Sequence, residues 1–223
     1  MPDTLTLQQI APVTHDTHRL VFDRPEGFEF TPGQATHMAL DRDGWRDKDR
    51  PFTMTSQPDE PMLEFVIKSY PSHNGVTQQI GMMEKGDKVI AQDPVGAISD
   101  RGPGVFIAGG AGITPFIPIL RKRAKAENLE GCELIFANKT EDDIILRDEW
   151  NDMAGLNVHY LVSDDKDSNL HHGMVDKDYL QTTISDFDQW FYLCGPGKMV
   201  NSVRESLKSL GARADRIVTE EGW

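Results

Sequence analysis

Two stretches of the chain bring together residue types that can hold an anion. In Gly109-Gly110-Ala111-Gly112-Ile113-Thr114-Pro115-Phe116, the apolar run Val105 to Gly110 feeds a glycine turn that opens a helix. Gly110 and Gly112 permit a tight turn and the close approach of a ligand. The helix start beyond Thr114 offers free N–H groups and about half a unit of positive charge to a pyrophosphate. Pro115 suits the first helical turn, where its missing N–H would be unpaired anyway. The spacing is not G-x-G-x-x-G, because Pro115 takes the third glycine position. On these residues alone, a packed strand-to-helix turn is the competing reading.

The second stretch is Arg50-Pro51-Phe52-Thr53, whose guanidinium can clamp a phosphate through two charge-assisted hydrogen bonds. Without that arginine, Phe52 and Thr53 read as ordinary strand residues. Asn74-Gly75-Val76-Thr77 places a hydroxyl at a helix start, a further anion-holding arrangement. Cys194-Gly195-Pro196 ends a buried strand, where a lone cysteine is most often a small hydrophobe. Cys132 reads as core. Two distant cysteines exclude a disulfide framework, a four-thiolate zinc site and a built-in iron–sulfur cluster. His171-His172 lacks a third ligand and reads as a solvated loop, so no metal site is expected. His15, His18 and His37 have no serine or cysteine partner at a recognisable spacing.

These residues must be carried by two differently textured halves. Up to about Ile98, short alternating segments run from Thr4 to Ile10, His18 to Phe22, Ala35 to Leu40, Pro51 to Ser56, Met62 to Ser69 and Lys88 to Ala91. Pro and Gly punctuate them, and one helix-like segment, Val76 to Met83, interrupts. That spacing predicts an antiparallel barrel or sandwich. From Val105 onward, apolar strands alternate with helices (VFIAGG, ILRKRAKAEN, ELIFAN, LRDEWNDM, VHYLVS, WFYLC, Gly197 to Leu210, RIVTE), predicting a parallel α/β sheet covered on both faces. The expected division is residues 1–100 and 101–223.

The 223 residues suffice for two such domains. Lys plus Arg number 23 against 36 Asp plus Glu, and the net charge of −13 argues against nucleic acid and anionic membrane surfaces as partners. No apolar segment approaches the ~20 residues of a membrane span, and the start MPDTLTLQQI does not look like a secretory leader. The expectation is a cytoplasmic protein with no membrane association. The runs Asp41 to Asp49 and Glu141 to Asp143 read as solvated surface.

G-x-G-x-T-P after a strand, Cys194-Gly195-Pro196 downstream and Arg50-Pro51-Phe52-Thr53 upstream, in that order along essentially the whole chain, together resemble the ferredoxin–NADP reductase family, including the bacterial flavodoxin and ferredoxin reductases. The resemblance implies an FAD-binding antiparallel β-barrel (FR-type) followed by an NAD(P)-binding α/β domain. Hydride would pass from nicotinamide to flavin in the crevice between them, with electron transport onward to a ferredoxin, a flavodoxin or another acceptor. It implies that Arg50 holds the flavin phosphates, with Pro51 beside it in the FAD site, that Phe52 replaces a tyrosine against the isoalloxazine, and that Thr53 bonds near flavin N5. Ile67 and Lys68 would run along the ribityl and phosphate chain, and Asn74, Gly75, Val76 and Thr77 would make a second phosphate contact. Cys194 would face the nicotinamide, with Glu221 a carboxylate near it and Trp223 stacked on the flavin. Thr53, Cys194 and Glu221 would form the catalytic set.

For the nucleotide, the resemblance points to Gly110, Ala111, Gly112, Thr114, Pro115, Gly195 and Pro196, and to two loops, Asn138-Lys139 and Ser163-Asp164. NADP-specific members usually carry arginine where Asp164 stands, which favours NADH, although Lys139 offers a cation to a 2′-phosphate. An acidic ferredoxin or flavodoxin would be repelled by a chain at −13 unless cations form a local patch. Two sets are available, Arg121, Lys122, Arg123 and Lys125, and Arg42, Arg46, Lys48 and Arg204. The alternatives are a flavin- or nucleotide-binding regulatory or electron-entry subunit without independent turnover, and a reductase of free flavin or small oxidants.

Overall fold

The computed structural model describes residues 2–70, 73–96 and 98–220. Its first half is a six-stranded antiparallel sheet in the order β4-β3-β6-β1-β2-β5. The strands are β1 (Asp3–Pro12), β2 (Thr17–Asp23), β3 (Ala35–Leu40), β4 (Arg50–Thr53), β5 (Met62–Lys68) and β6 (Lys88–Ala91), with helix α1 (Val76–Gly81) between the last two. Beyond β4 the chain bends, Met54 bridges Phe65, and the N–H of Thr55 donates to the carbonyl of Glu64 at 2.7 Å. This bend shortens the expected strand Pro51 to Ser56 and nearly closes the sheet into a barrel.

Period-two alternation explains the closure. Leu5 and Leu7, Leu20 and Phe22, and Leu63, Phe65 and Ile67 all enter one buried interior cluster. The other face of β5 carries Glu64, Val66 and Lys68, and Val66 packs into the core of the second half. One strand thus faces both domains.

The second half is a six-stranded parallel sheet in the order β10-β9-β8-β7-β11-β12. It contains β7 (Gly104–Gly109), α2 (Phe116–Lys125), β8 (Glu133–Asn138), α3 (Arg147–Asp152), β9 (Asn157–Val162), β10 (His171–His172), α4 (Lys177–Thr183), β11 (Trp190–Cys194), α5 (Gly197–Ser209) and β12 (Ile217–Thr219). On β7, Phe106 and Ala108 face the core shared with α2, while Val105 and Ile107 face the core shared with α4 and α5. Helices therefore cover both faces, as the near-continuous apolar strands require. His171-His172 is not a loop: its backbone pairs with Leu161 and Val162 as a short edge strand, although both side chains are exposed.

The passage from Ala91 to Gly104 joins the two sheets. A buried tyrosine fixes it. Tyr192 stacks on Phe106 with ring centroids 4.3 Å apart, and its hydroxyl accepts from the N–H of Arg101 at 2.9 Å and donates to the carbonyl of Gly102 at 2.8 Å. Burial pushes its pKa up to about 12, so it stays a donor throughout the physiological range.

Candidate functional site

A cavity of about 1190 Å³ lies where the carboxyl ends of β7, β8, β9 and β11 face the barrel. The barrel contributes Pro51, Phe52, Thr53, Ile67, Lys68 and Thr77; the α/β half contributes Gly110, Ala111, Gly112, Thr114, Asn138, Lys139, Ser163, Cys194, Gly195 and Pro196. The volume exceeds that of a typical small-ligand pocket and suits dinucleotide-sized molecules. Carboxyl strand ends are also where open α/β sheets bind ligands.

The glycine turn is built by packing as much as by flexibility. A Cβ on Gly112 would lie 2.3 Å from the carbonyl oxygen of Cys194, so the turn after β7 and the end of β11 interlock. Gly110 has φ +52° and open space where a Cβ would project, which leaves its backbone accessible from the cavity. The Thr114 hydroxyl donates to the carbonyl of Ala111 at 3.0 Å and braces the turn. Pro115 caps α2 and is buried.

Cys194 is 6% exposed at the cavity wall. Burial, and then the neighbouring Glu220, push its thiol pKa up, so it is a neutral thiol and not a nucleophilic thiolate. Burial likewise raises the carboxyl of Glu220, which hydrogen-bonds with Cys194. Glu220 is a carboxylate that sequence reasoning did not single out, and the expected Glu221 and Trp223 lie outside the described residues.

Lys68 lines the cavity with its ammonium already held between two carboxylates. Its ammonium lies 2.9 Å from Asp16 Oδ2 and 3.0 Å from Asp143 Oδ1. Burial opposes its charge, but both carboxylates outweigh that and raise its pKa. Asp143, in the 3₁₀ turn Glu141–Asp143 after β8, also accepts from the N–H of Thr140 at 3.1 Å and its hydroxyl at 3.0 Å. Burial raises the Asp143 carboxyl, but Lys68 and Thr140 together hold it below the usual range. The expected solvated run therefore contains a buried, fully bonded carboxylate. Glu141 is also engaged, with Arg147 at 2.6 Å.

Other expected residues sit at the margins. Arg50 is exposed, donates from Nη1 to the carbonyl of Asp49 at 2.6 Å, and does not line the cavity. Asn74 is exposed with φ +46°, Gly75 caps α1, and Val76 belongs to the barrel interior. Asp164 is exposed, and its N–H donates to the carbonyl of Lys139 at 2.8 Å. His15, Asp16, Asp143, Met174, Lys198 and Glu220 line the cavity without having been anticipated. Met174 is 73% exposed there, a soft apolar surface on which a planar ring can rest.

Three of the four cations in the basic stretch of α2 are held in ion pairs. Arg121 pairs with Glu64 and Glu149, Arg123 with Asp100 at 2.5 Å, and Lys125 with Asp59 at 2.7 Å. In the second set, Arg46 is held by Asp41 and Asp43, and Lys48 lies over the Trp45 ring.

The chain matches two family models, "Oxidoreductase FAD-binding domain" over residues 4–99 and "Oxidoreductase NAD-binding domain" over residues 106–205. It is 29% identical over 248 residues to the NADH-cytochrome b5 reductase 2 of Mycosarcoma maydis, covering 95% of this chain and 70% of that protein. It is 24% identical to the ferredoxin--NAD(P)(+) reductase component of the naphthalene 1,2-dioxygenase system of Pseudomonas putida, covering 96% of this chain and 67% of that one. The chain thus spans about two thirds of the length of these curated relatives. Among solved structures, the cytochrome b5 reductase domain of Ulva prolifera nitrate reductase shares its fold, with a TM-score of 0.84 at 21% identity over 97% of this chain and 96% of that one.

An antiparallel flavin barrel facing a nicotinamide-nucleotide sheet across one cavity defines the class: FAD- and NAD-binding oxidoreductases. The chain belongs to the ferredoxin reductase-like family of NAD(P)H-dependent flavoprotein reductases. Among the described residues no helix is long and apolar enough to cross a membrane.

Proposed function

We propose that this chain oxidises NADH at an FAD held against the barrel and passes the electrons on singly to a haem or iron–sulfur acceptor protein. The observation that carries the proposal is the single cavity with Phe52 and Thr53 on one wall and Gly110, Gly112 and Cys194 on the other. That arrangement brings a surface for a flat ring to the edge of a dinucleotide cradle. FAD, when bound, supplies the step from a two-electron donor to one-electron acceptors. Phe52, packed on the barrel interior, offers its ring for stacking. The neutral thiol of Cys194 orients the nicotinamide without forming a bond to it, and Glu220 beside it holds a proton more readily than an ordinary carboxylate. The rest of the work is positioning.

NADH is favoured because Asp164 and Asp165 follow β9, where a 2′-phosphate would meet like charge. The relatives' names support a protein acceptor of the b5 or ferredoxin kind. The ion-paired cations of α2 leave little local attraction to offset the net charge of −13, so docking of an acidic acceptor should speed up as added salt screens the repulsion. The test is anaerobic mixing of the purified, FAD-loaded protein with NADH or NADPH. Flavin bleaching by NADH within the mixing time, followed by reoxidation by cytochrome b5 or a ferredoxin, is the expected result. A stable oxidised spectrum would make the chain a flavin- or nucleotide-binding subunit. A kcat/KM for NADPH about tenfold higher, ~1.4 kcal/mol, would reverse the nucleotide preference.

A further inference from the structure

His15, in the turn between β1 and β2, has a side chain 61% exposed and is the one histidine among the described residues that lines the cavity. Its Nε2 lies 3.6 Å from Asp16 Oδ2 and 4.0 Å from Asp143 Oδ1. Those are the same two oxygens that hold the Lys68 ammonium, at 2.9 and 3.0 Å. The other oxygen of each carboxylate is taken by neutral donors. Asp16 Oδ1 accepts from the hydroxyls of Thr14 and Thr17, both at 3.1 Å, and Asp143 Oδ2 from the N–H and the hydroxyl of Thr140. An ammonium and an imidazole thus share one pair of oxygens, one from the barrel and one from the α/β half. Among the described residues no other charged side chain is ion-paired with any of the four groups.

The charges do not balance while His15 is neutral. One ammonium faces two carboxylates, which leaves an excess of negative charge in the wall of a cavity whose glycine turn suits an anion. An incoming phosphate that draws the ammonium away makes this worse, because Asp16 and Asp143 then face each other without a cation, and like charges at short range disfavour the ionised pair. An imidazole is the side chain whose charge changes between about pH 5 and 8, and this one is exposed to the solvent that would supply the proton.

We infer that His15 is a positioning residue that couples binding of a pyrophosphate ester at Lys68 to the uptake of a proton. As the ammonium turns from the carboxylates to the ligand, the imidazole takes a proton from solvent, and its Nε2–H donates to Asp16 Oδ2 and Asp143 Oδ1 in place of Lys68. The inference rests on the reading of the cavity as a dinucleotide site. Both the flavin and the nicotinamide nucleotide carry the required group.

The test titrates the full chain in two forms: flavin-free with FAD, and FAD-loaded with ADP-ribose, which lacks the nicotinamide and so keeps clear of Cys194 and Glu220. A pyrophosphate diester stays ionised near neutral pH, so any proton exchanged belongs to the protein. Calorimetry in PIPES and in Tris, whose ionisation enthalpies differ widely, counts that proton. Wild type should take up about 0.4 proton at about pH 7 in at least one arm, which identifies the dinucleotide that Lys68 meets, and its affinity there should fall about fivefold from about pH 6 to pH 8. His15→Gln should show neither the uptake nor the fall. Lys68→Gln should bind about threefold more weakly and also without uptake, because His15 then serves the carboxylates before the ligand arrives. Binding in both arms without proton uptake overturns the inference, as does uptake that persists in His15→Gln. Uptake that survives Lys68→Gln overturns it too, since His15 would then meet the ligand directly. Wild type that binds neither FAD nor ADP-ribose would instead overturn the dinucleotide reading of the cavity.

Discussion

Two ion-paired seams join the barrel to the α/β half, and both start from the same face of β5. At one, Glu64 meets Arg121 of α2 at 2.7 Å, and Arg121 also holds Glu149 at 2.6 and 2.8 Å and the carbonyl of Thr55 at 3.0 Å. At the other, two positions along on each side of buried Val66, Lys68 meets Asp143 at 3.0 Å. The first seam lies away from the cavity and engages a planar guanidinium with several oxygens; the second is a point charge in the cavity wall. A rigid fork fixes a joint, whereas an ammonium between two carboxylates can trade one of them for an incoming anion. The difference sets a multiply bonded joint on the Glu64 side against a contact on the Lys68 side that lies in the cavity wall and has two carboxylates to exchange.

The largest effect should come from breaking the fixed seam. Arg121→Met leaves the Glu64 carboxylate buried with Arg19 as its remaining cation and the Thr55 hydroxyl as a neutral donor, and should cost about 3 kcal/mol in thermal or urea unfolding. Burial raises the Glu64 carboxyl, but Arg121 and Arg19 outweigh it and hold its pKa below the ordinary 4.5. Its contribution is therefore complete above about pH 4.5 and is lost as pH falls through the lower folded value. Wild type should lose Tm over that acid range more steeply than Glu64→Gln does; parallel curves would remove Glu64 from the account.

The adjustable seam should respond less. Lys68→Met leaves Asp16 and Asp143 facing each other and should cost about 1 kcal/mol, the value being reduced by solvent at the cavity mouth. Asp143→Asn removes one competitor for the ammonium, so it should lower Tm slightly yet tighten pyrophosphate-containing nucleotides about threefold, measured by calorimetry. Equal losses of stability and affinity in both variants would erase the distinction between the seams.

How far this was legible in the sequence follows from what each residue depends on. The glycine turn and Cys194-Gly195-Pro196 could be placed at strand ends because their positions are local, set by where the apolar runs stop and by close backbone approach. The two textures of alternation separated barrel from parallel sheet for the same reason. Glu64 and Lys68 could not be assigned, since in MLEFVIK they are simply the polar half of an alternation whose other side becomes visible only when α2 and the turn after β8 arrive. The four cations between Arg121 and Lys125 look alike in sequence; acceptors up to 66 residues distant decide which are neutralised. Asp143 looked solvated because its partners, Thr140 apart, are remote.

Lys125 provides the sharpest control on the comparison because it too bridges α2 and the barrel, and at the same 2.7 Å that separates Arg121 from Glu64. Distance alone would rank the two contacts as equals. Burial does not: the Lys125 and Asp59 side chains are 68% and 67% exposed, against 24% and 9% for Arg121 and Glu64. An exposed pair gains little from Coulomb attraction in water, must immobilise a long side chain, and is screened by salt. Lys125→Ala should leave both Tm and the urea midpoint unchanged within error, at low and at physiological salt. A loss comparable to that of Arg121→Met would mean that contact across the domain boundary, and not desolvation, sets the strength of these seams, and the ranking of Glu64 above Lys68 would lose its basis.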